Sequence, residues 1–212
     1  MRSWLLLYSF VTALLGAGPA RAQYIYMDTN GDGICTYQDY LVSTSTSVDI
    51  YLDTDHEANG TVVTCATNPS QPMDIFSYDL LLESSSDRFG SLTVNGWTNA
   101  MTGFTVINPL TIAGRDIGVG YGAPVGTVLP PGLYKLGTLS VAVQGSIVGL
   151  FFLANPVSGI PSPVTGFGSS CDASDYGNTV SLGVDFVDNC GLYVATDDVK
   201  ATTWGKIKMT YR

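Results

Sequence analysis

Basic side chains are scarce in this 212-residue chain: nine Lys and Arg stand against 18 Asp and Glu. A nucleic-acid binder needs a basic face to neutralise phosphates, and a net charge of −9 excludes one. Histidine is scarcer still. His56 is the only one, so every Ser-His-Asp or Cys-His scheme would have to use it, and no G-x-S-x-G elbow exists to receive it. Only Glu57 and Glu83 represent glutamate, which argues against a helical bundle. No apolar run reaches the ~20 residues a bilayer span needs. A glycosidase needs two carboxyls placed across a cleft, and nothing in the pattern marks such a pair. These absences point away from catalysis.

What is present is β-forming. Hydrophobic residues make up 45% of the chain and glycine contributes 24 residues, a composition that excludes disorder and suits one domain with a full core. Val48–Leu52 alternates, and Ile75–Leu82, Ser91–Val94, Phe104–Ile107, Ile117–Tyr121, Tyr134–Val143, Ile147–Leu153, Val180–Leu182 and Val184–Val187 read as further strands. Asn59-Gly60, Asn95-Gly96, Pro130-Pro131-Gly132, Gln144-Gly145, Asn155-Pro156, Gly166–Ser170 and Asp188-Asn189 read as turns between them. The expectation is an all-β protein, an antiparallel β-sandwich. Gly118-Val119-Gly120-Tyr121-Gly122 reads as a glycine-rich strand or loop, because no helix follows for a phosphate site.

Residues 1–22 read as a secretory signal peptide: Arg2, an apolar run from Leu5 to Leu15, then Ala20-Arg21-Ala22. A secreted location, extracellular or at the cell surface, follows. There Cys35, Cys65, Cys171 and Cys190 are expected to form two disulfides. Three pairings are open, and Cys65–Cys171 with Cys35–Cys190 is preferred because each partner lies in a turn-rich segment. Without residues 1–22 the chain holds seven basic groups. Residues 23–199 carry 18 acidic and three basic ones, a net of −15, while residues 200–212 hold four of the seven. Such an acidic body invites cations.

One segment has a chemical signature. Over Asp28–Asp39 the positions of a twelve-residue calcium loop are Asp28 at 1, Asn30 at 3, Asp32 at 5, Gly33 at 6, the Ile34 carbonyl at 7, Thr36 at 9 and Asp39 at 12. Ca²⁺ is the cofactor expected there, because a hard cation takes oxygen donors, and Gly33 allows the sharp turn the loop requires. The closing residue is Asp where Glu is usual. Asp53–Asn59 also alternates acidic residues, but it lacks the glycine and the twelfth ligand and reads as a solvated loop. The same reading applies to Asp172, Asp175, Asp185 and Asp188.

Asp28-Thr29-Asn30-Gly31-Asp32-Gly33 with Asp39 and the following Tyr40-Leu41-Val42 resembles one calcium loop of the dockerin family. Dockerins carry two loop–helix units; one is evident here, with a short helix cut off by the Ser43–Ser47 run. The body from Ser47 to about Asn155 resembles a cohesin-like or carbohydrate-module-like, jelly-roll-like sandwich, on Val48–Leu52, Ile75–Leu82 and Leu136–Val143. This implies a non-catalytic adhesion, binding or scaffold module whose partner is another secreted protein, a second copy or a polysaccharide. A subunit of an extracellular filament or surface assembly, and a carbohydrate-binding accessory or secreted hydrolase, are the alternatives. Trp97 and Tyr121 are candidates for stacking on sugars, against packing in the core.

The expected organisation is thus a signal peptide at 1–22, the calcium loop with its helix at 23–42, the sandwich at 43–199 and a basic tail at 200–212. In the tail Trp204, Ile207 and Tyr211 form a helical stripe with Thr203 as a possible cap; Ile207, Met209 and Tyr211 equally form one face of a strand.

Overall fold

The computed structural model describes residues 24–36, 39–56, 60–65, 70–71, 73–85, 90–145, 148–153, 156–162, 164–172, 179–181 and 187–188. The signal segment 1–22, Cys190, Asp175, Asp185 and the tail 200–212 lie outside them. The strands are β1 (Tyr24–Asp28), β2 (Ser47–Asp53), β3 (Ser77–Ser85), β4 (Gly90–Asn99), β5 (Thr105–Ala113), β6 (Asp116–Gly122), β7 (Leu133–Gly145), β8 (Gly149–Phe152), β9 (Gly166–Gly168), β10 (Thr179–Ser181) and β11 (Val187–Asp188). Among the described residues the only helical element is a single 3-10 turn, Ser170–Asp172. The protein is all-β and mostly antiparallel; the β1–β11 pair is parallel. No helix among the described residues is long and apolar enough to cross a membrane.

Two sheets are formed. One has the order β11-β1-β2-β7-β4; in the other, β10-β9-β3-β6-β5, β8 also pairs with β3 beyond the end of β9. The period-2 pattern explains the strands: in β2, Val48, Ile50 and Leu52 are fully buried while the residues between them are not. These side chains join Leu80, Leu82, Ile117 and Val119 of the other sheet, with Leu136, Leu139 and Val141 of β7, in one hydrophobic cluster. Tyr78 stands at its centre. Its ring packs on Trp97, Phe104 and Tyr121, and its hydroxyl donates to Asn99 Oδ1 at 2.9 Å and to the Leu136 carbonyl at 3.2 Å. Trp97 and Tyr121 therefore pack against the core, each of them partly buried.

The glycines of β6 alternate with Ile117, Val119 and Tyr121. A Cβ on Gly118 would lie 2.1 Å from Ile160 Cγ2, and one on Gly120 2.2 Å from Asp79 Oδ1. Absence of side chains lets Ile160 and Asp79 lie flat on the strand.

Several local expectations are corrected. Asn95-Gly96 is not a turn: it sits inside β4, where the pairing with β7 skips a residue between Val94 and Gly96. The same small, turn-prone dipeptide suits a β-bulge. Residues 166–168 form β9 rather than a turn. The short helix after the calcium loop is absent from the described residues, where 39–46 form a loop. There the Val42 N–H donates to Ser45 Oγ at 3.0 Å and the Ser45 N–H to the Val42 carbonyl at 2.8 Å. The serine hydroxyl thus competes for groups a helix would need, and a tight turn results. Residues 24–28 are a strand, paired with β2 from Tyr24↔Asp53 to Asp28↔Asp49, so the calcium-type loop is an excursion between two neighbouring strands.

Candidate metal loop

β1 delivers Asp28 to the mouth of the loop at the end of the sheet, fully buried like Tyr26 and Met27 before it. Its carboxylate organises the first half of the loop. Oδ1 accepts from the Asn30 N–H at 3.0 Å and the Gly31 N–H at 2.7 Å, and Oδ2 accepts from the Gly33 N–H at 2.7 Å. Nested turns continue outward: the Asp32 N–H donates to Asn30 Oδ1 and the Ile34 N–H to Asp32 Oδ1, each at 2.8 Å, while Asn30 Nδ2 reaches Asp32 Oδ2 at 3.0 Å. Gly31 and Gly33 take φ of 80° and 75°, the left-handed conformation such turns need.

Asp39 closes the loop. It is fully buried, accepting from the Thr29 N–H on Oδ1 at 3.0 Å, and on Oδ2 from the Thr36 N–H at 2.8 Å and Thr36 Oγ1 at 3.1 Å. Asp28, Asn30, Asp32, Ile34, Thr36 and Asp39 are thus linked in one hydrogen-bonded turn, with Asn30, Asp32 and Ile34 exposed and Thr36 half-buried. Among the described residues no three His, Cys, Asp or Glu side chains gather as a metal-binding group. Asp28 and Asp39 point instead at loop amides.

The electrostatics are one-sided. The described ion pairs are Lys135–Asp49 at 2.5 Å, Arg115–Glu83 at 2.6 Å and the contacts of His56 with Asp53 and Asp55; none involves Asp28, Asp32 or Asp39. An ionised carboxylate offers about four acceptor sites, and the bonds above fill three on each of Asp28 and Asp39. Among the described residues, these two buried carboxylates therefore rest on neutral donors. The oxygen donors suit a hard cation in kind.

Three neighbours of the loop carry no motif of their own. Tyr26 donates its hydroxyl to the Gly33 carbonyl at 2.7 Å and stacks between Tyr24 and Tyr51, ring centroids 5.1 and 5.2 Å away. Burial holds the Tyr26 hydroxyl well above the usual tyrosine range, helped by the two flanking tyrosines and by Asp28 and Asp53, so it remains a donor. Burial also raises Tyr51; Lys135 opposes that, while Asp49, Asp28 and Asp32 add to it. Asp49, opposite Asp28 in the register, receives Lys135 Nζ and, at 2.6 Å, Thr138 Oγ1.

Elsewhere, Cys65 and Cys171 form a disulfide with Cα atoms 5.5 Å apart. Cys35, within the loop, is also disulfide-bonded, and Cys190, its expected partner, lies outside the described residues. The acidic stretch at Asp53–Asn59 forms Asx-type bonds, Asp55 N–H and His56 N–H to Asp53 Oδ1, with residues 57–59 outside the description. Compared with known proteins, the chain matches no family model, no curated protein and no solved structure.

Proposed function

We propose that the chain is a secreted, calcium-stabilised binding module, a non-catalytic adhesion or scaffold unit built on a cohesin-like or jelly-roll-like β-sandwich. The observation that carries the reading is the pair of buried carboxylates, Asp28 and Asp39, with no basic partner among the described residues. Ca²⁺ would be held by Asp28, Asn30, Asp32, the Ile34 carbonyl, Thr36 and Asp39, and would supply the missing positive charge. The loop joins β1 to β2, so an ion there would fasten the entry of the first sheet. Supporting this, Tyr26 bonds the loop carbonyl of Gly33 directly from the sheet.

The test is unfolding calorimetry of the exported protein with chelator and with Ca²⁺. At a hundredfold excess over Kd the ion stabilises the fold by ~2.7 kcal/mol. For a chain of this size that is a Tm rise of roughly 5–10 °C. An unchanged Tm removes the calcium reading.

A second reading, a subunit of an extracellular assembly, draws on one observation: edge strand β5 leaves Val106, Ile107 and Ile112 about half exposed. Light scattering across protein concentration separates the two readings.

A further inference from the structure

β4 ends the first sheet. β7 pairs along one side of it, and among the described residues nothing pairs the other. Such edges are ordinarily guarded by charge or proline. Residues 90–99 contain neither, whereas β5, the corresponding edge of the second sheet, carries Pro109. On the inward side of β4, Leu92, Val94 and Trp97 pack against the core yet stay only partly buried. On the outward side Ser91, Thr93, Asn95 and Thr98 are exposed and uncharged. The edge therefore suits a strand that is apolar inward and polar outward.

The sequence beyond the described residues contains such a pattern. Over 206–212, at the end of the segment 203–212, Ile207, Met209 and Tyr211 alternate with Lys206, Lys208, Thr210 and Arg212. The segment is also opposite in charge to the body as a whole: residues 200–212 hold four basic groups and no acidic one, against a net of −15 on residues 23–199. Reach agrees as well. β11 ends at Asp188 on the opposite edge of the same sheet, four strand spacings or ~19 Å from β4. The 14 residues 189–202 span up to ~46 Å when extended.

We propose that the open side of β4 is the docking site of the chain's own residues 203–212, which add there as a further strand. Ile207, Met209 and Tyr211 extend the inward row of Leu92, Val94 and Trp97, and the basic side chains stay on the wet face. The docked segment covers an edge that would otherwise recruit another chain.

Amide hydrogen exchange on the full exported chain tests this, comparing wild type with Ile207→Asp plus Met209→Asp and with Lys206→Ala plus Lys208→Ala. In wild type the β4 amides that do not bond β7 exchange slowly. In the aspartate variant they exchange at least about tenfold faster while β7 is unchanged, and in the alanine variant they stay slow. Rapid exchange of those amides in wild type overturns the proposal, as does equal protection in the aspartate variant. Protection that grows with protein concentration, together with dimers in light scattering, also overturns it by making a second copy the occupant.

Discussion

Asp28 and Asp49 face each other across the β1–β2 register, and each carboxylate is satisfied from a different side. Asp28 turns into the loop and collects three backbone N–H groups, while Asp49 turns to Lys135 and Thr138 on β7. Like charges directly opposite one another destabilise a sheet, and here the Lys135 ammonium pairs Asp49, the one of the two that faces β7.

Lys135→Met follows from that arrangement. The pair is partly exposed, so its loss costs at most about 1 kcal/mol of stability without calcium. Leaving Asp49 unpaired opposite Asp28 should at the same time tighten Ca²⁺ binding. Titration calorimetry on the variant checks the sign, and weaker binding than wild type would contradict it.

Tyr26→Phe keeps the ring between Tyr24 and Tyr51 but deletes the bond to the Gly33 carbonyl. A net loss of about 0.5–1.5 kcal/mol is expected in urea unfolding. Ca²⁺ affinity should fall with it, because the loop loses its tether to the sheet.

The Cys65–Cys171 disulfide closes a loop of 106 residues in sequence. Replacing both cysteines by serine is expected to cost ~2–5 kcal/mol, through the freedom regained by the unfolded chain. Denaturant unfolding of the double variant measures it. A midpoint equal to wild type would show that the bridge constrains nothing.

Asp79 of β3 lies over Gly120 of β6, with Asn108 Nδ2 donating to it at 2.7 Å. Burial raises its pKa above the ordinary value, only partly offset by the bond from Asn108. Between its unfolded and folded pKa values the folded state binds more protons, so Asp79 contributes stability below the unfolded pKa that is lost as pH rises through the folded one. Asp79→Asn should flatten the fall in urea midpoint from about pH 4 upward. A variant whose profile matches wild type would assign that fall to other groups.

The strands with one wet face were legible because burial imposes a two-residue period, as in Val48, Ile50 and Leu52. β1 was not: Tyr-Ile-Tyr-Met-Asp has no polar alternation, since its tyrosines stack under the loop instead of facing water. Asn95-Gly96 carried a true signal for irregular backbone, but a bulge and a turn use the same residues. The ligand spacing of the loop is local and could be read directly. Tyr26 bonds the loop from β1, and Asp49 with its partner Lys135 comes opposite Asp28 through strand register, which no single segment encodes.

Whether the Asp28–Asp39 loop holds Ca²⁺ is decided by titration calorimetry of wild type against Asp32→Ala. Asp32 is exposed, with its hydrogen bonds confined to the loop, so the variant is expected to fold. The predicted result is wild-type binding with Kd of roughly 10⁻⁴ to 10⁻³ M, weakened about tenfold or more in Asp32→Ala. Equal heats from the two proteins would contradict it.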